Sequence, residues 1–140
     1  MALSADSPIL IVGKPHWNLE EYPALADDVF YEGAYISVNS SGYAKPYAGT
    51  DTIFAGICYR QLDTTGDSDG DHNVKVYSGT FRAQVTLASV AITNVDDDVY
   101  ASDDGTLTLS STNNLKVGKV VRYVTTNTAI VEFSAPQTTT

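Results

Sequence analysis

From Val29 onward the apolar residues recur at every second position rather than every 3.6, a period that builds half-buried strands and argues against a helical bundle. The segment Thr80 to Leu87 shows it most clearly. Phe81, Ala83, Val85 and Leu87 share one face, and Thr80, Arg82, Gln84 and Thr86 share the other. The same reading predicts strands at Ala34 to Val38, Thr52 to Tyr59, Asn73 to Tyr77, Val99 to Ala101, Thr106 to Leu109, Val117 to Thr125 and Ala129 to Phe133. Two-residue turn signals, Ser78-Gly79 and Asp104-Gly105, predict hairpins, because glycine tolerates positive φ. A weak internal echo relates Phe54 to Arg60 with Lys116 to Arg122, each with glycine third and arginine seventh. It predicts bulges or sharp bends at Gly56 and Gly118. Many short strands at this spacing give an all-β fold class, a single small β-barrel or a sandwich-like barrel.

With 140 residues, 43% of them hydrophobic, the chain suits one domain that buries roughly two thirds of its unfolded surface. Residues 29–135 form the expected β-barrel domain. The stretch before them differs in kind. Pro8, Pro15 and Pro23 punctuate apolar residues of no steady period, so residues 1–28 read as an extended N-terminal arm that packs on its own barrel or on a neighbour. Pro23 interrupts the one helical candidate, and the acidic run Asn94 to Asp98 supports at most a turn. Residues 136–140 read as a polar, frayed C-terminal tail. The N-terminus has no cationic region and only the short apolar run Ile9 to Val12, so neither a signal peptide nor a membrane span is expected, and no membrane partner.

Eight Lys and Arg stand against 17 Asp and Glu, a net charge of −9, which leaves no source of phosphate neutralisation and argues against nucleic acid as a partner. The excess acid is concentrated in two turn-rich segments, Asp63 to Asn73 and Asn94 to Gly105, neither of which contains a base. Catalysis is not expected. There are only two histidines, His16 and His72, and neither a nucleophile elbow nor a phosphate-binding glycine loop occurs. The lone Cys58 lies in an apolar stretch and reads as a buried thiol. No cofactor is expected. Asp67, Asp69 and Asp71 alternate as oxygen ligands for calcium would, yet the sixth position of that loop is His72 rather than glycine and the twelfth is Ser78 rather than glutamate. They remain weak metal candidates in a solvated loop. Nine tyrosines and Trp17 admit a sugar-binding face, although Tyr35, Tyr59, Tyr77 and Tyr123 fall in strand patterns and suit sheet packing. Tyr22, Tyr31, Tyr43 and Tyr47 are less regular and suit a subunit contact.

An ordered set of segments carries a family resemblance. It comprises Glu32-Gly-Ala-Tyr-Ile-Ser-Val38, Gly42-Tyr-Ala-Lys-Pro46, Phe54-Ala-Gly-Ile57, Val74-Lys-Val-Tyr-Ser-Gly-Thr-Phe81, Val99-Tyr-Ala-Ser-Asp-Asp-Gly-Thr-Leu-Thr-Leu109 and Val117-Gly-Lys-Val120. In this order the chain, from about Val29 to Phe133, resembles the capsid cement or head decoration proteins of tailed bacteriophages. It departs from them in its longer arm and in the acidic insertion at Asp63 to Asn73. The resemblance implies a small β-barrel that binds the outside of an expanded head shell and stabilises it, with no catalytic residues. It also implies the major capsid protein of the same phage as partner, self-association as a homotrimer, and a place on the virion exterior after synthesis in the host bacterial cytoplasm. Another phage structural part, such as a tail or fibre module, and a carbohydrate-binding β-domain are the alternatives. On this reading Leu3, Ile9, Leu10, Ile11, Trp17 and Tyr22 of the arm are the candidate capsid or intersubunit contacts, an extended segment adding to a sheet edge with Trp17 as anchor.

Overall fold

The computed structural model describes residues 2–139, and Met1 and Thr140, the ends of the expected arm and tail, lie outside that range. The strands in chain order are β1 Leu10–Pro23, β2 Val29–Phe30, β3 Tyr35–Val38, β4 Ala44–Pro46, β5 Ile53–Cys58, β6 Leu62–Asp63, β7 Asn73–Thr86, β8 Asp98–Asp103, β9 Thr106–Thr108, β10 Leu115–Thr125, β11 Thr128–Ala135 and β12 Gln137–Thr138. One 3₁₀ turn, Ile92–Asn94, is the sole helical element among the described residues. The fold is all-β. Its main sheet follows the path β4-β3-β5-β7-β11-β10-β8-β9, with β1 added to β7 and β12 to β5. That path does not close on itself, so the architecture is sandwich-like rather than a closed barrel.

Strand β7 organises the molecule. One of its edges is covered by β1 from Asn73 to Gln84, while the other is shared, β5 pairing at Val76 and Tyr77 and β11 from Gly79 to Thr86. Its side chains alternate without interruption, but the covered face changes midway. Val74 and Val76 face a smaller core with Phe30, Ile36 and Cys58, whereas Phe81, Ala83 and Val85 face a larger one with Phe54, Leu115 and Phe133. The hairpin predicted at Ser78-Gly79 is therefore absent. The predicted strands Asn73 to Tyr77 and Thr80 to Leu87 are one 14-residue strand, Asn73–Thr86, because the two halves bury opposite faces and local periodicity alone resembles a break.

The two glycines of the internal echo do mark bulges. Register slips where β5 passes β3 at Gly56 and where β10 passes β8 at Gly118. Each slip reverses the in-and-out alternation. Phe54 and Ile57, three apart, thereby share the larger core, while Ala55 and Cys58 share the smaller one. Gly56 has a φ of +141°, and a Cβ there would collide with the Tyr77 carbonyl; at Gly118 it would collide with that of Glu132. Only glycine permits either approach.

The arm is extended, and from Leu10 to Pro23 it lies as β1 on its own β7. The C-terminal segment is paired rather than frayed: Gln137 and Thr138 lie against Phe54 and Ile53, and the Thr139 N–H donates to the Thr52 carbonyl at 2.8 Å. β8 and β9 form the hairpin predicted at Asp104-Gly105, its turn held by the Gly105 N–H donating to Asp103 Oδ1 at 2.8 Å.

Candidate functional site

Period two, invisible among the prolines of the arm, becomes plain once β1 is formed. Ile9 and Ile11 are half-buried, whereas Leu10 and Val12 point outward at 57% and 47% exposure. Trp17 packs on the larger core with its ring 5.7 Å from that of Tyr77, and Tyr22 packs on the smaller core. Leu3 also meets the smaller core. Of the six candidate contacts, Leu10 is thus the outward one, while Leu3, Ile9, Ile11, Trp17 and Tyr22 face the chain's own interior in part. Val12 belongs with Leu10 and was hidden because an apolar run without polar alternation does not reveal which members face out. Ile92, 71% exposed, and Val95, 47% exposed, form a second outward apolar pair at the 3₁₀ turn that strand periodicity could not flag. Among the described residues, β1 pairs only with β7, so its outer edge has no strand neighbour.

Ahead of β1, residues 3–9 form a strap across the molecule. The Leu3 N–H donates to Asp104 Oδ1 at 3.0 Å, the Ser7 N–H donates to the Glu32 carbonyl at 2.7 Å, and the Glu32 N–H donates to Asp6 Oδ1 at 2.9 Å. Burial raises the Asp104 carboxyl above the usual aspartate range, and the Leu3 amide partly opposes that shift.

The acidic loop does not assemble a metal centre. Asp67 faces His72 at 3.4 Å, Asp69 accepts from the Ala26 N–H at 2.8 Å, and Asp71 accepts from the Ser68 N–H at 2.9 Å. Each carboxylate thus ties down a different part of the loop. Among the described residues no three His, Cys, Asp or Glu side chains gather in a way that would hold a metal ion.

Cys58 is buried, with Sγ 3.0 Å from the Arg60 carbonyl, and burial pushes its thiol up to about 12, far from the thiolate a nucleophile requires. Trp17, Tyr77 and Tyr59 do cluster, but their planes meet at 46° and 76°, which is not the flat platform on which a sugar ring stacks. Tyr47, suggested as a subunit contact, is 2% exposed and its hydroxyl donates to the Asn113 carbonyl at 3.2 Å, so it is a core residue here. On the outer face of β7, β11 and β10, Arg82 pairs with Glu132 at 3.1 Å and Lys119 with Asp96 at 3.4 Å. Such exposed pairs contribute at most about 1 kcal/mol.

No family model matches the chain, and no curated protein matches it. Among solved structures, it is similar to a chain in the capsid of Myoviridae phage XM1, with a TM-score of 0.61 and 18% sequence identity, over 98% of this chain and 96% of that one. The two share a fold across nearly their whole lengths. No helix among the described residues is long and apolar enough to cross a membrane.

Proposed function

We propose that this chain is a structural virion protein that binds the outer surface of a bacteriophage capsid and cements the head shell. Its partners on this reading are the major capsid protein and two further copies of itself in a homotrimer. The observation that carries the proposal is the shared fold with a chain of the XM1 capsid over almost all of both chains. The ordered segments that resemble head decoration proteins agree with it. Leu10 and Val12, on a strand with an open edge, are the contact side chains this reading favours. Ile9 and Trp17 on the larger core and Leu3 and Tyr22 on the smaller one then anchor the arm, with Ile11 half-buried. A trimer spanning several capsomers gains avidity from contacts that are individually weak.

The test is addition of purified protein to expanded heads that lack it, followed by cryo-electron microscopy and heat challenge. Density on the outer shell with a raised temperature of head disruption is expected. Leu10→Asp with Val12→Asp should lower occupancy at least tenfold while leaving the melting temperature of the free protein within about 3 °C, since both side chains already meet water. Failure of the wild-type protein to bind heads, or its location in the tail, would overturn the proposal.

A further inference from the structure

We propose that residues 2–13 are an exchangeable arm, seated on their own domain in the monomer and on the identical groove of a neighbouring copy in the assembled oligomer. The β1 ladder is uneven. Register is continuous from His16 opposite Thr80 to Pro23 opposite Asn73, but it slips between Ile11 and Gly13 and again between Gly13 and His16. Pro15 within that second gap has no N–H to give to a ladder. Residues up to Gly13 can therefore lift away while His16 to Pro23 stay paired, with the two register slips on either side of Gly13 as the hinge.

The seat of the arm is specific yet loosely filled. The three hydrogen bonds at Leu3, Ser7 and Asp6 locate it, but a partly open pocket of about 170 Å³ remains between arm and domain, lined by polar and apolar residues alike, among them Leu3, Ser7, Ile9, Tyr35, Gln84 and Val85. Along this stretch the arm thus borders a partly open pocket rather than a close-packed interface, and few strand contacts hold it. Lifting it uncovers apolar surface on both arm and groove, and the segment that matches this groove is the arm itself. A second copy supplies it at no cost in complementarity. Leu10 and Val12, outward beside the hinge, find in such an assembly the apolar cover that the monomer denies them.

The test needs no capsid, so its outcome is independent of the virion reading. The end of the Gln61 side chain lies 3.1 Å from the Asp6 carboxylate, to which its amide donates once its oxygen and nitrogen are exchanged, and both residues are exposed, so cysteines at these positions lie within reach of a short bis-maleimide. Buried Cys58 stays silent. Full-length Asp6→Cys and Gln61→Cys proteins are mixed, equilibrated just below the melting temperature and cross-linked. Any weakening of the seat by Asp6→Cys affects own and exchanged docking alike. Exchange predicts a covalent dimer that forms only when both variants are present. Its fraction should rise about tenfold or more for each tenfold rise in concentration while monomer predominates. The Asp6→Cys, Gln61→Cys double variant should then give internally linked monomer when dilute and linked oligomers when concentrated. Internally linked monomer alone at every concentration, with no product from the mixture, would overturn the proposal.

Discussion

Phe133 is fully buried in the larger core among three other aromatic rings. Its ring centroid lies 5.4 Å from that of Phe81, 6.1 Å from Tyr35 and 6.4 Å from Phe54, so four strands meet on one side chain. Phe133→Ala should destabilise the protein by about 3–5 kcal/mol in denaturant titration, as expected for a buried aromatic whose neighbours cannot collapse into the space. Asp104 makes the opposite kind of prediction. Burial raises its folded-state pKa, so its contribution to stability is fullest below the ordinary aspartate range and is lost as pH rises through the raised value. Asp104→Asn, whose side-chain carbonyl can still accept from Leu3, should therefore melt higher than wild type at pH 7, and the difference should shrink as pH falls toward 4. A constant difference across that range would show that the carboxyl is not held in its charged form against burial. Phe81 and Val85 were legible as core residues from alternation alone. Asp104 was legible only as a turn residue, because the backbone amide that engages it lies 101 positions away.

Elements differ in how strongly they belong to the domain. Removal of residues 2–9 takes away the strap and leaves every strand, so the truncated protein should remain folded, with strand-type circular dichroism and a melting temperature lowered by only a few degrees. Removal of residues 2–23 should unfold it, because β1 covers β7 from Asn73 to Gln84 and brings Trp17 and Tyr22 onto the two cores. Proteolysis and thermal melts of the two truncations distinguish these outcomes. β1 was unreadable as a strand because prolines and two register slips break its alternation, and β12 because two polar residues carry no hydrophobic signal at all. β8, β9 and β11, by contrast, lie close to their predicted positions, since each keeps one face on one core.

At the scale of the whole molecule, nine of the 17 acids lie in the two segments without Lys or Arg. Their carboxylates engage backbone amides, the Asn94 side chain, His72 or lysines, and among the described residues none gathers with two others into a metal-holding group. An excess of chelator should accordingly move the melting temperature by less than about 2 °C, and a drop near 10 °C would revive a calcium site, being several kcal/mol for a domain of this size. On the proposed virion reading, a charge of −9 favours a dispersed protein before assembly, while the exposed Leu10, Val12, Ile92 and Val95 are the apolar side chains available for contact.

The sequence by itself determined the all-β class, the alternating core positions of β7 and β11, the Asp104-Gly105 turn and the two glycine bulges. Each depends on the chemistry of residues close along the chain: a period of two, a positive φ or a missing Cβ. Only the tertiary structure decided that β7 is continuous, that the sheet stays open, that the arm lies on its own β7 and that Leu10 and Val12 face outward. Those outcomes depend on which core covers which face and on hydrogen bonds between segments remote in sequence, for which an isolated stretch of residues carries no signal.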